Sequence, residues 1–134
     1  MNKLVASSTA IAVFLLAGCA ASGPKLASSA QDIAGTWQST ISSGEVQFNE
    51  DGTFRAQSAQ GMDVTFEFRF EGTRFFVTDI PNGGCAQIGA ETGIYEVELL
   101  ENGNLKFTAI EDECATRVNG FVGALIEAEW EPVP

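Results

Sequence analysis

The stretch between Cys85 and Cys114 carries the strongest pattern in the chain and predicts one β-hairpin. Apolar residues occupy every second position of both arms: Tyr95, Val97 and Leu99 on the first, and Leu105, Phe107 and Ala109 on the second. Alternation with period two on both sides of an Asn/Gly turn is the signal of an antiparallel hairpin. A bond between Cys85 and Cys114 would join the start of the first arm to the exit of the second.

Similar alternation recurs from Asp32 onward, in short segments separated by turn residues. The further predicted strands are Gly35–Ile41, Glu45–Phe48, Thr53–Ser58, Val64–Glu71, Arg74–Ile80 and Leu125–Trp130. About eight short strands joined in sequence predict an all-β fold, an up-and-down antiparallel β-barrel, because closure removes the exposed edges of a flat sheet. The segment 113–120 lacks alternation and predicts one short helical segment.

The first 18 residues predict a signal peptide that is not part of the fold. Lys3 supplies a positive charge, and the apolar run 4–16 is too short to span a bilayer. The run ends in Leu-Ala-Gly-Cys19, which resembles the lipobox of bacterial lipoproteins. The resemblance implies cleavage before Cys19 and a diacylglycerol on its thiol. The alternative is a buried helix that ends in a free cysteine.

These features divide the chain into a signal peptide (1–18), a lipidated tether (19–31) and a barrel domain (32–134). Several acyl chains on Cys19 would hold the protein stably on a membrane of the cell envelope. The resemblance to lipoproteins also indicates which membrane would carry the protein. In Gram-negative bacteria, lipoproteins retained at the inner membrane have an aspartate directly after the lipidated cysteine, and this chain has Ala20 there. The outer membrane is therefore favoured if the host is Gram-negative.

The net charge excludes some classes of binding partner, and the cysteine count predicts a disulfide. The chain has 7 basic and 18 acidic residues, a net charge of −11, which argues against nucleic acid or anionic lipid headgroups as partners. With Cys19 lipidated, Cys85 and Cys114 are the two cysteines left in an oxidising compartment. They predict one intramolecular disulfide.

The sequence contains no recognisable catalytic motif. We therefore expect that the protein is not an enzyme and has no cofactor or metal site. The chain has no histidine, no phosphate-binding glycine loop and no Gly-x-Ser-x-Gly. The acidic run 111–113 has two interpretations. One is a calcium site, although the run lacks the spacing of a calcium loop. The favoured one is a solvated turn or a cap, in which Asp112 or Glu113 caps the short helix.

Three short motifs resemble small lipocalin-like (calycin) domains of secreted bacterial lipoproteins. They are Gly35-Thr36-Trp37, Asp51-Gly52-Thr53-Phe54 at a hairpin turn, and Gly93-Ile94-Tyr95. The resemblance implies an eight-stranded barrel with Trp37 plugging one end. In that family a closing arginine stacks on the tryptophan. A helical segment is expected between Arg117 and the final strand, so the cation–π partner of Trp37 stays open.

The aromatic face of the strands supports two functional hypotheses. In the first, a non-enzymatic barrel binds a small apolar ligand at a mouth lined by Trp37, Phe66, Phe68, Tyr95 and Phe107. In the second, these side chains fill the interior and the barrel is a protein-interaction module, as in barrel-shaped protease inhibitors. A barrel of eight strands is just wide enough for either arrangement. An open cavity would favour the ligand, and a filled barrel with exposed apolar residues would favour an envelope protein.

The lipobox predicts that Cys19→Ser abolishes lipid attachment, because the thiol is the acyl acceptor. Metabolic labelling with an alkyne fatty acid, comparing the wild type with the variant, measures this directly. We expect label on the wild type alone, and equal label on both chains would contradict the assignment.

Overall fold

The computed structural model describes residues 23–78, 84–119 and 121–134, with the backbone alone for 121–123. The strands are β1 Lys25–Leu26, β2 Gly35–Ser39, β3 Glu45–Phe48, β4 Thr53–Gln57, β5 Asp63–Glu71, β6 Arg74–Thr78, β7 Thr92–Leu99, β8 Leu105–Glu111 and β9 Glu129–Pro132. The helices are α1 Ala30–Ile33, α2 Gly84–Gln87, α3 Ala115–Val118 and α4 Phe121–Glu127. The predicted signal peptide, Cys19 and the last two residues of the predicted strand 74–80 lie outside the described residues.

Strands β2 to β9 form a closed antiparallel barrel in which each strand pairs with the next in sequence. Pairing of β2 with β9, from Trp37 opposite Pro132 to Ser39 opposite Trp130, closes the ring. The prediction of an eight-stranded up-and-down, lipocalin-like barrel is therefore confirmed. The central hairpin also has the expected register, with Leu99 opposite Leu105.

The connections between strands lie alternately at the two ends of the barrel. The turns 49–52, 72–73 and 100–104 lie at one end, which we call the base. The connections 40–44, 58–62 and 112–128, together with α2, lie at the other end, which we call the loop end. Because α1 directly precedes β2, it lies at the base, and its Ile33 is fully buried in the core.

The interior is filled by a cluster of phenylalanines. Phe48 lies at its centre, with ring centroids 5.2–6.0 Å from those of four others: Phe54, Phe68, Phe75 and Phe107. All five are buried. Aromatic rings at these distances pack favourably beyond the area they bury. Large side chains from opposite walls therefore meet across the barrel.

Two predicted segments differ from the structure. The predicted strand 125–130 is wrong, because α4 continues to Glu127 and only the last residues join β9. Leu125 and Ala128 are both fully buried, and their spacing of three residues suits one face of a helix. The short helical segment expected at 113–120 is present as α3 and is followed by α4.

The N-terminal segment also differs from the predicted tether. Lys25 and Leu26 pair with β7, and Ala27 is fully buried. Asp32 accepts hydrogen bonds from the backbone N–H groups of Ser28 (2.8 Å) and Ser29 (3.1 Å) at the start of α1. In the described part of the chain, no helix is long and apolar enough to cross a membrane.

Removing the side chain at the centre of the phenylalanine cluster should strongly reduce the stability of the fold. We expect Phe48→Ala to lower the free energy of unfolding by about 3–5 kcal/mol, because it removes a ring that touches four others. Urea denaturation measures the change. Thr65→Ala, on the exposed face of β5, is the control and should stay within about 0.5 kcal/mol of wild type. A loss below about 1 kcal/mol at Phe48 would indicate a loosely filled barrel.

Candidate functional site

A buried ion pair lies at the loop end, between Arg117 of α3 and Asp112 just before it. Arg117 Nε donates to Asp112 Oδ2 at 2.7 Å and Nη2 donates to Oδ1 at 2.7 Å. The two side chains are only 2% and 1% exposed. Two parallel hydrogen bonds between guanidinium and carboxylate form the most directional ion pair available to proteins. The pair therefore fixes where α3 begins relative to β8.

Tyr95 and Gly93, two inward-facing positions of β7, complete this cluster. The Tyr95 hydroxyl donates a hydrogen bond to Asp112 Oδ2. A Cβ atom on Gly93 would lie 2.5 Å from that carboxylate oxygen and 2.7 Å from the Tyr95 hydroxyl oxygen. Real Cβ atoms do not approach so closely, so this position requires glycine. Because Gly93 has no side chain, the Asp112 carboxylate can pack directly against β7 at this position.

The remaining donors of Arg117 hold the segment that follows α2. Nη1 donates to the carbonyl oxygen of Glu91 at 3.1 Å, and Nη2 donates to that of Ala90 at 3.0 Å. The same two parts of the chain are joined covalently by a disulfide between Cys85 and Cys114, with a Cα–Cα distance of 5.5 Å. The predicted disulfide is thus confirmed. It connects α2 to the residue before α3 and closes the loop end.

Electrostatics favour the charged form of the pair. Burial is the largest single influence on the pKa of Asp112 and raises it, but hydrogen bonds from Arg117, Tyr95 and the Cys114 N–H together bring that pKa below its usual value. Burial and the adjacent carboxylate raise the pKa of Tyr95 far above its usual value. The phenol therefore keeps its proton and remains a donor to Asp112.

The arrangement positions the chain, and its polar groups bond to one another. Among the described residues, every buried side-chain nitrogen and oxygen has a hydrogen-bond partner. No group of three or more metal-ligating side chains converges within the same ranges. Asp112 does not cap α3 as predicted, because Cys114 is the N-cap residue and Asp112 Oδ1 accepts the backbone N–H of Cys114 at 2.9 Å.

The five residues predicted to line a ligand mouth belong to the packed core. Tyr95 and Phe107 are fully buried, and Trp37 and Phe68 are nearly so. Phe66 is partly buried and stacks on the Phe54 ring at 5.1 Å. Trp37 Nε1 donates to the carbonyl oxygen of Ile33 at 2.9 Å, and no cation stacks on this ring in the described part of the chain.

Two depressions formed by described residues lie outside this aromatic cluster. One, of about 280 Å³, is lined by 89–92, Ile94, Glu111 and Glu113 at the loop end. The other, of about 660 Å³, is lined by 23–25 and 98–101 at the base. Both are lined by loop residues and by strand residues that are only partly buried or exposed. Neither is lined by any of the five predicted mouth residues.

The cluster around Arg117 is the feature that the sequence analysis missed. The sequence suggests separate roles for the two residues: Asp112 as a cap or calcium ligand, and Arg117 only as a candidate for the cation–π partner of Trp37, which stayed open. A signal was present, since Asp112, Cys114 and Arg117 stand together at one exit of the central hairpin. A carboxylate, a disulfide cysteine and a guanidinium within six residues favour a local ion pair.

Comparison with protein-family models, with curated proteins and with solved structures yields no match.

The space above Gly93 predicts that Gly93→Ala is destabilising. The added methyl group has to displace the Asp112 carboxylate or the Tyr95 hydroxyl, and such overpacking typically costs about 1–3 kcal/mol. Gly84→Ala is the matched control, because a Cβ there meets no atom within 4 Å. Thermal unfolding of both variants measures the difference. Equal stability of the two would contradict the close packing at Gly93.

The lowered pKa of Asp112 predicts a pH-dependent contribution to stability. A carboxylate with a depressed folded-state pKa stabilises fully above its unfolded-state value, about 3.9, and loses this contribution as pH falls through the folded-state pKa. Asp112→Asn leaves the Arg117 charge buried without its partner. We therefore expect it to cost about 3–5 kcal/mol at pH 7.

The difference between wild type and Asp112→Asn should shrink when urea denaturation is repeated below about pH 4, because the carboxylate of the unfolded wild type binds a proton there while that of the folded protein, with its lowered pKa, stays charged to lower pH. Asp51→Asn is the control. Asp51 also has a lowered pKa, but it is exposed and bonds only within its own turn, to Thr53. A difference at Asp112 that is constant between pH 3 and pH 7, in roughly the window of carboxylate titration, would contradict the ion-pair account.

Proposed function

We propose that this protein is a lipid-anchored cell-envelope protein whose barrel acts without catalysis, by binding another protein through its loop end. The observation that carries the proposal is the filled interior. Rings from opposite walls meet at the centre, with Phe48 and Phe107 5.8 Å apart. A carrier of apolar molecules needs a concave site of some hundreds of cubic ångströms that encloses its ligand. The phenylalanine cluster occupies that space.

The loop end has the properties of a recognition surface. Of the four exposed large apolar side chains among the described residues, three belong to it: Ile41 (63% exposed), Ile88 (66%) and Ile110 (42%). Ile110 is the extra residue of a bulge in β8, with Tyr95 opposite Ala109 and Ile94 opposite Glu111. Bulges are over-represented at the rims of barrels.

Rigidity of this end supports the same proposal. The disulfide and the Arg117 hydrogen bonds hold α2, α3 and the segment 89–91 together. Binding is stronger when the contacting segments are ordered beforehand, because less conformational entropy is lost. The anchor itself is supported by the Leu-Ala-Gly-Cys19 motif and by the positive, then apolar, residues before it.

A second candidate is a small apolar ligand bound at the barrel wall. The observation that favours it is the inward face of β5, where Phe66 and Phe70 are only partly buried. Both pack against the core cluster. With the centre filled, such a site has room for a small molecule at most, and we expect affinities no tighter than about micromolar.

Site-specific photo-cross-linking in the native host tests the proposal. A photoreactive amino acid at Ile88 should give one discrete protein adduct, because this side chain projects from the loop end. The same amino acid at Thr65, exposed in the middle of the barrel wall, is the control and should give none. A second variant, Ile41→Glu, should weaken the Ile88 adduct if the loop end is the contact surface.

Native mass spectrometry of protein extracted from the same cells separates the two candidates. A bare protein mass together with an adduct at Ile88 supports protein binding. A recurring small-molecule adduct, with no cross-link from either position, would contradict it and favour the ligand-binding barrel.

A further inference from the structure

The N-terminal segment is fixed to the barrel well before the barrel itself begins. In β1, Lys25 lies opposite Leu99 and Leu26 lies opposite Glu98. The backbone N–H of Ala27 continues the ladder with a 2.8 Å hydrogen bond to the carbonyl oxygen of Val97. The methyl group of Ala27 is fully buried. The chain is therefore held to β7 from Lys25 onward.

The fixed segment continues without interruption into the barrel. Asp32 caps the start of α1 through Ser28 and Ser29, and Ile33 is fully buried. The indole of Trp37 then donates to the carbonyl oxygen of Ile33 at 2.9 Å. A loose tether would leave this indole N–H without that partner, and leaving a buried donor unsatisfied is costly.

The place where the segment meets the barrel is the base. Lys25 lies opposite the last residue of β7, just before the turn 100–104. Gly23 and Pro24 continue past this point and line the base depression with Leu100 and Glu101. The chain thus reaches the tip of the central hairpin at Gly23, four residues after Cys19.

Four residues limit how far the base can lie from an anchored Cys19. An extended chain spans at most about 3.6 Å per residue, or about 14 Å here. The strand β7 rises by about 3.3 Å per residue over its eight residues, so base and loop end lie roughly 26 Å apart along the strand. We propose that the anchored protein stands on its base, with the turns 49–52, 72–73 and 100–104 facing the membrane and the loop end facing away. This inference rests on the lipid anchor proposed above.

The charge of the base indicates which lipid surface it faces. The base turns carry exposed carboxylates, Glu50, Asp51 and Glu101, which outnumber the exposed cations beside them, Lys25 and Arg74, while Glu71 is paired with Arg69. Charges of like sign repel within a Debye length of about 8 Å at physiological salt. The base therefore fits a zwitterionic surface, such as phosphatidylcholine or phosphatidylethanolamine, and is repelled by anionic lipids.

Energy transfer to the membrane tests this orientation. Full-length protein processed by its host carries a clickable amino acid at Glu101 (base) or at Ile88 (loop end), coupled to a donor dye. It is inserted into phosphatidylcholine vesicles that contain an acceptor lipid. We expect clearly higher transfer from position 101 than from position 88, and the difference should persist as vesicle size is varied.

A linker variant supplies the matched control. Inserting twelve Gly/Ser residues between Ser22 and Gly23 lengthens the reach by roughly 20 Å and leaves the barrel unchanged. The difference between the two positions should then disappear. Leu26→Pro, which disrupts the pairing with Glu98, should reduce it. Equal transfer from both positions in the original chain, or higher transfer from position 88, would overturn the orientation.

Failure of the anchor is distinguished from failure of the orientation by the mass of the N-terminal peptide. If Cys19 carries no lipid, the proposed anchor fails. Its free thiol is then coupled to a maleimide phospholipid and the two dye positions are compared in the same vesicles. The orientation follows from the four-residue distance and is supported or overturned by that comparison alone.

Discussion

The buried ion pair between Arg117 and Asp112 is the interaction on which the loop end depends. Both side chains have lost their hydration, which is acceptable only when each charge is paired and its remaining hydrogen-bonding groups are satisfied. Arg117 meets this condition by also donating to the carbonyl oxygens of Ala90 and Glu91. One guanidinium therefore joins three parts of the chain: the segment after α2, the exit of β8 and α3. The disulfide adds a covalent link between α2 and Cys114, the residue before α3.

The filled interior and the fixed ends point to a function on the outside of the barrel. Phe48 and its neighbours occupy the centre, and α1 with Ile33 covers the base. The N-terminal segment adds β1 to the wall, so the predicted tether is paired with β7 from Lys25 onward. With the anchor proposed at Cys19, this arrangement would hold the barrel close to the membrane and present the opposite end to a partner.

Local patterns predicted most of the barrel, because period-two alternation and turn residues act between neighbours in sequence. The central hairpin followed from such signals, whereas the disulfide was predicted from the cysteine count and an oxidising compartment. Features that depend on distant packing were not predicted. Ile126, Ala128 and Trp130 alternate with Glu127 and Glu129 as in a strand, yet the chain is helical as far as Glu127, where α4 packs beside β8. The segment before β2 was interpreted as a tether because its composition is small and polar, although Ser29 and Asp32 have the spacing of a helix cap. The role of Gly93 required knowing that Asp112 approaches it from another strand.

Hydrogen exchange of the Arg117→Lys variant tests the central claim most directly. Lysine keeps the charge but lacks the planar fork, so it cannot bridge a carboxylate and two carbonyl groups at once. The amides of Ala90 and Val118 report the loop end, since they bond to the carbonyl oxygens of Cys85 and Cys114. We predict that their protection falls at least about tenfold further than that of β3 and β4, because the loop end then opens separately from the barrel. An equal fall at all sites, or none at Ala90 and Val118, would contradict a loop end held by Arg117.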